Sequence, residues 1–256
     1  MAAAALDDAS NTTPVLILLH GATLNGRMWD PVRRHIDPRY RVITPDLPGH
    51  GSRRGEKYTL QGAVDTVVAA ARSVAPVPVV VCGDSLGGYS TIASAAALPQ
   101  DQLKGIVPSG SSFNFVGSPV WPYLLRGALF KAIAKVVGEQ RFIEKAMPKT
   151  LVRKIGLSEE DARAMIDAGI SITVFPQAVE ALRNVDFRAK VAAIAQPILF
   201  VNGSKDTRNV RGEPDFLAAA KNATSHRFEN TEHGVSLWRY REFAELLNKF
   251  VAGLPA

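Results

Sequence analysis

At 256 residues, 46% hydrophobic and 21% charged, the chain is long enough for one α/β core with an insertion and too ordinary in composition for a disordered or fibrous protein. Its formal net charge of +6 raises nucleic acid as a partner, yet no nucleic-acid signature and no basic run interleaved with aromatics is present, so none is expected. The single cysteine, Cys82, excludes an internal disulfide framework and reads as a buried, inert thiol at the end of an apolar strand.

The first eleven residues are alanine-rich and then acidic, without the basic start and long apolar stretch of a signal peptide. No apolar run approaches the ~20 residues that span a bilayer. A cytoplasmic protein with no stable membrane insertion is expected. Residues 14–20 form an apolar β run ending in His20-Gly21, and residues 27–36 have helical spacing. A short strand at 41–44 closes in the turn-rich segment 45–51. Leu60, Val64, Val67, Val68 and Ala71 recur at helical intervals. The strand 77–82 runs into Gly83-Asp84-Ser85-Leu86-Gly87-Gly88, followed by an alanine-rich helix stopped by Pro99. A strand follows at 103–107.

The rhythm then changes. Residues 113–187 read as helical throughout, broken at prolines and glycines. Strand signals return at 198–201 and 225–228, and an amphipathic helix closes the chain at 237–251. Strands alternating with helices predict an α/β fold: a mostly parallel central sheet with helices on both faces. The helical block predicts a cap insertion over the carboxyl ends of the strands. The expected organisation is core at 1–112, helical cap or lid at 113–187, and core again at 188–256.

The strand–Gly-x-Ser-x-Gly–helix arrangement is a nucleophile elbow, in which a strained turn exposes the serine and small neighbours let the backbones pass closely. A serine hydroxyl is a weak nucleophile alone and needs a base, an orienting acid and an oxyanion site. The residue types for all three occur further along the chain.

In this order, His20-Gly21, residues 46–52 (Asp-Leu-Pro-Gly-His-Gly-Ser), Gly83 to Gly88, residues 202–206 (Asn-Gly-Ser-Lys-Asp) and Glu232-His233-Gly234 resemble the α/β-hydrolase fold superfamily, in its small, capped, esterase-like branch. The resemblance implies a catalytic set of Ser85 as nucleophile, His233 as general base and then acid, and Asp206 as the acid that holds the imidazole in its tautomer. Among five histidines, His233 alone sits in a polar loop between the last strand and the last helix. His226 lies within a strand, His35 on a surface helix, and His20 and His50 in structural turns. Leu86 N–H, at the positive end of a helix, supplies one oxyanion donor. Ala22 N–H is the second by resemblance, with Thr23 as a further contributor. Only about a dozen residues precede Pro14, so one or both of the family's antiparallel strands before the first parallel strand are expected to be missing or very short. Asp84, where many relatives carry histidine, reads as an acid that shifts the pH profile or as a solvated side chain, the second being favoured.

The cap opens on an apolar stretch expected to build an acyl or aryl pocket over Ser85, with Phe113, Phe115, Trp121, Leu125 and Phe175 as candidate lining beside Thr23. Its many lysines and arginines read as a solvated helical face, with attraction of anionic substrates or a membrane surface as the alternative. Together these predict a serine hydrolase that cleaves carboxylic esters through an acyl-enzyme, on a small-molecule ester or lactone, with no cofactor and no metal. A lactonase, a carbon–carbon bond hydrolase or a thioesterase shares these features. In another class, a ligand receptor with a near-idle triad does too. Oligomeric state is not legible.

Overall fold

A computed structural model describes residues 13–255. The alanine-rich start, read above as lacking a signal peptide, lies outside the described residues. Six strands form one sheet: β1 (Val15–Leu19), β2 (Val42–Ile43), β3 (Val79–Asp84), β4 (Leu103–Ser109), β5 (Ile198–Gly203) and β6 (Ala223–Phe228). Their order is β2-β1-β3-β4-β5-β6. Every neighbouring pair is parallel, so the described sheet is parallel throughout rather than mostly so.

Parallel strands need crossovers, and helices supply them: α1 (Asp30–Arg33), α2 (Leu60–Arg72), α3 (Leu86–Ser94), α8 (Phe187–Ala192) and α9 (Thr207–Ala219), while α10 (Val235–Trp238) and α11 (Tyr240–Ala252) follow the last strand and pack back on the sheet. Side chains alternate across each strand, so one apolar run feeds two cores. Ile17, Leu19, Val79, Val81 and Phe200 pack into one face with α2, α3 and α9. Leu16, Leu18, Val80, Cys82 and Val201 pack into the other with α1 and α11. This explains why β1 and the Val79–Cys82 run of β3 are apolar at every position and buried at every residue.

Between β4 and β5 the chain inserts α4 (Trp121–Ile133), α5 (Glu139–Pro148), α6 (Glu159–Asp167) and α7 (Phe175–Leu182). The helical block read from residue 113 begins later: α4 starts at Trp121, beside the expected break at Pro122, which sits in the first turn and lacks the N–H that an earlier start would require. Part of the insertion joins the main cores. Val174, Ala178 and Leu182 pack with the α2–α3 face, and Ile143, Leu151, Ala162 and Met165 with the opposite one. The Arg34–Asp161 ion pair, at 2.6 Å, ties α6 to the chain just after α1.

The final amphipathic segment is two helices, α10 and α11, meeting at Arg239. Helix α11 buries Phe243, Ala244, Leu247 and Val251 along one stripe, the spacing that predicted it.

Candidate active site

Strand β3 ends in a turn that leaves Ser85 at φ 55°, ψ −113°, a left-handed conformation that side chains rarely adopt. The turn is held because Ser85 N–H donates to the Ser109 carbonyl at 2.7 Å and because α3 begins at the next residue. Gly87 makes that start fit: a Cβ there would lie 2.6 Å from the Leu19 carbonyl carbon and 2.8 Å from the His20 oxygen. The elbow is therefore wedged against β1, the strand that leads to Ala22.

Two further loops converge on Ser85. The loop after β6 brings His233 Nε2 to 2.8 Å from Ser85 Oγ. The loop after β5 brings Asp206 Oδ2 to 2.5 Å from His233 Nδ1. The three side chains thus form one hydrogen-bonded line, drawn from positions 148 and 27 residues apart in the chain. The loop geometry is pinned by neighbours. Trp238 Nε1–H donates to the His233 carbonyl at 3.1 Å, and Asn209 Nδ2–H donates to Asp206 Oδ2 at 2.8 Å. Gly110 leaves room for the imidazole: a Cβ there would stand 3.0 Å from His233 Cε1.

Burial pushes the Asp206 carboxyl upward, but hydrogen bonds from His233 and Asn209 outweigh it and hold the group below its ordinary pKa. Burial likewise opposes the imidazolium at His233. The hydrogen bond and charge of Asp206, aided by Asp84, overcome that and raise the histidine's pKa. An ionised Asp206 beside a histidine of raised basicity is the arrangement a proton-accepting imidazole needs.

Asp84 is not solvated, against expectation. It is 1% exposed. One carboxyl oxygen accepts a short hydrogen bond from Ser236 Oγ, and the other has no partner. Burial raises its pKa, partly offset by His233 and Ser236. Asp84 closes β3 and does not line the cavity, and its partner Ser236 lies 152 residues later, in α10.

Ser85, Leu86, Ala22, Asp206 and His233 all line one cavity of about 490 Å³. Of the expected wall residues, the structure brings Phe115 and Phe175 to it. Phe113 sits behind Phe115, its ring 5.2 Å away. Thr23, at φ 72°, uses its carbonyl to accept from Ser171 N–H at 2.9 Å. Trp121 and Leu125 lie outside the cavity, 65% and 63% exposed. Helix α4 instead turns Phe130 onto Phe175 and Gly127 onto Pro176, which sends the Trp121 and Leu125 side to solvent. The sequence reading missed Tyr89, Tyr123, Arg126 and Leu182 as lining. Of these, only Tyr123 and Arg126 stood within its apolar cap segment, one turn from Leu125.

The other histidines serve elsewhere. His20 is fully buried and accepts from Leu47 N–H at 3.0 Å. His50 donates from Nδ1 to the Pro48 carbonyl at 2.9 Å, and burial, with His20 beside it, pushes its pKa down to about 3. Among the described residues no group of three or more histidine, cysteine or acidic side chains is placed to hold a metal ion, and no helix is long and apolar enough to cross a membrane.

A parallel sheet whose strand-to-helix elbow presents a serine to a histidine and an acid defines a class, and the comparison with known families agrees. The chain belongs to the alpha/beta hydrolase family, whose profile matches residues 16–246. It is 28% identical over 259 residues to a pimeloyl-[acyl-carrier protein] methyl ester esterase of Xanthomonas oryzae pv. oryzae, covering 94% of this chain and 96% of that protein. It is 25% identical to the protein of the same description from Stenotrophomonas maltophilia, covering 96% of each. Among solved structures, the enol-lactonase of Burkholderia xenovorans superposes with a TM-score of 0.75 at 18% identity, covering 96% of this chain and 94% of that one. A bromoperoxidase of Bacillus anthracis gives 0.76 at 22%, covering 94% and 92%. These structures share the fold.

Proposed function

We propose that the protein is a serine hydrolase that cleaves carboxylic esters through an acyl-enzyme. The observation that carries this reading is the unbroken line from Ser85 Oγ to His233 Nε2 to Asp206, at 2.8 and 2.5 Å, opening into one cavity. Ser85 Oγ attacks the ester carbonyl carbon as its proton passes to His233 Nε2. The carbonyl oxygen becomes an oxyanion and accepts from the Ala22 and Leu86 N–H groups. Leu86 is the first residue of α3, where a helix N–H has no acceptor of its own and sits at the positive end of the dipole.

Collapse breaks the C–O bond to the alcohol, which leaves with the proton from His233. Water then gives a proton to His233 and attacks the acyl-enzyme. The second tetrahedral intermediate expels Ser85, which recovers its proton, and the free acid is released. Asp206 stays ionised throughout and steadies the imidazolium.

The cavity volume suits a small or medium-sized acyl group, and its walls of Phe115, Phe175 and Leu182 favour an apolar one. Arg126 and Arg208 line the same space and favour an ester that also bears negative charge. The named esterase relatives support ester rather than carbon–carbon bond cleavage.

Initial rates on p-nitrophenyl esters of increasing acyl length, with wild type and Ser85→Ala side by side, test the reading. Turnover that vanishes in the variant is expected, with an optimum at short to medium chains. Folded protein without turnover on any ester, or a Ser85→Ala variant as active as wild type, refutes it.

A further inference from the structure

Among the described residues, the exposed large hydrophobic side chains are confined to the stretch from Val116 to Val137, where Val136 is 83%, Trp121 65%, Leu125 63% and Leu129 56% exposed. At 100° per residue, Trp121, Leu125, Ala128, Leu129 and Ala132 fall within an arc of about 100° on α4. At 1.5 Å per residue these span about 17 Å, and Val136 follows in the π-helical turn Ala134–Gly138. Soluble surfaces scatter single apolar residues, whereas a contiguous stripe of this kind marks a contact surface.

The charges within the stretch itself are of one sign. Residues 121–137 contain Arg126, Lys131 and Lys135 and no aspartate or glutamate. On the same wheel, Lys131 borders the arc on one side and Arg126 on the other, and Lys135 follows in the turn beyond α4. A tryptophan at one end, an apolar arc and flanking cations make the pattern of a helix that lies in a lipid headgroup layer. Two copies of the chain meeting on this stripe would oppose cations with cations and offer no acid from the stretch to pair them. A flat, anionic bilayer supplies the missing charge and covers a long convex stripe without a complementary groove.

We infer that the outer face of α4 docks the protein on anionic membrane surfaces, with the apolar stripe entering the headgroup–acyl boundary and Lys131 and Lys135 meeting lipid phosphates. The same helix carries Tyr123 and Arg126 on the cavity that holds Ser85. Docking therefore brings the cavity wall close to the bilayer, where esters with apolar chains are concentrated. Attachment of this kind is peripheral and independent of the chemistry at Ser85, so it is measured without a substrate.

The test uses the full chain and two kinds of vesicle, phosphatidylcholine alone and phosphatidylcholine mixed with phosphatidylglycerol. Flotation and tryptophan emission report binding. Wild type is expected to favour anionic vesicles by about tenfold or more at low salt. Its Trp121 emission shifts to the blue, a shift that Trp121→Phe removes. Leu129→Asp with Val136→Asp is expected to lose binding by about tenfold or more, while ester turnover in free solution is unchanged. Four results overturn the inference: no binding of folded wild type to anionic vesicles, equal binding to neutral ones, binding retained in the double variant, or a solution dimer that the double variant splits. Retention by an acidic protein without vesicle binding overturns it as well and assigns the stripe to that partner.

Discussion

Gly87→Ala is expected to damage stability and turnover together, because one backbone contact supports both. A Cβ at Gly87 would lie 2.6 Å from the Leu19 carbonyl carbon and 2.8 Å from the His20 oxygen, so β1 and α3 must part by about 1 Å to restore van der Waals contact. Leu19 is fully buried in a strand paired to β3, and the chain cannot swing outward there as a surface loop would. Overpacking of this kind costs about 1–3 kcal/mol, which in a chain of this size lowers Tm by roughly 2–12 °C. The residues displaced run straight into Ala22, and a misplacement of about 1 Å in a reacting assembly costs about a hundredfold in rate. Thermal unfolding by circular dichroism and kcat/KM on one p-nitrophenyl ester read the two effects. Gly55→Ala is the control, since a Cβ there meets nothing within 4 Å. A Gly87→Ala protein whose Tm and kcat/KM match those of Gly55→Ala would show that the close approach of β1 and α3 does not govern the elbow.

Asp206→Asn removes the charge that raises the His233 pKa. The acid limb of the kcat/KM profile therefore moves to lower pH while the plateau falls by about 10⁴; an unmoved limb separates Asp206 from His233. Asp84→Asn removes the lesser contribution to the same pKa, so the limb again moves to lower pH, with the plateau within about tenfold of wild type. A limb that stays put means Asp84 is neutral in the working enzyme. His50 is held neutral in the folded state, its pKa pushed to about 3 against 6.5 as its ordinary value. Its contribution is complete above about pH 6.5 and is lost as pH falls toward 3, at about 1 kcal/mol per pH unit. His50→Gln should flatten the fall of stability between neutral and mildly acid pH, and an identical slope in denaturant titrations refutes this. Phe200→Ala empties a fully buried site packed edge-on against Phe216. A loss of about 3–5 kcal/mol is expected by urea titration; a loss under about 1 kcal/mol contradicts the packing.

Much of the core was legible because its signals are local. β1 and the Val79–Cys82 run of β3 are apolar at every position since they are buried on both faces, and that identifies a parallel sheet before any partner strand is known. Ser85 stood out because its glycines must lie beside it in the chain. Asp206 and His233 were found by their places after strands, and the structure brings both to Ser85. Other features carried no local mark. Asn209, which holds Asp206, looks like any polar residue of a helix. Asp84 looked solvated because its partner, Ser236, lies far away in sequence.

The insertion shows the same division most plainly. The apolar and basic content of α4 was readable as composition, and its helical period was readable as spacing. Which side of that helix turns inward was not, so Trp121 and Leu125 were expected at the cavity, and Tyr123 and Arg126 line it instead. By itself the sequence determined the strand order in the chain, the elbow and the three side chains that meet there. These depend on periodicity and on residues adjacent in the chain. The tertiary structure alone decided which face of α4 meets α7, which loop covers Asp84 and what lines the cavity. Burial and facing are properties of pairs of elements, and the second member of each pair lies many residues away.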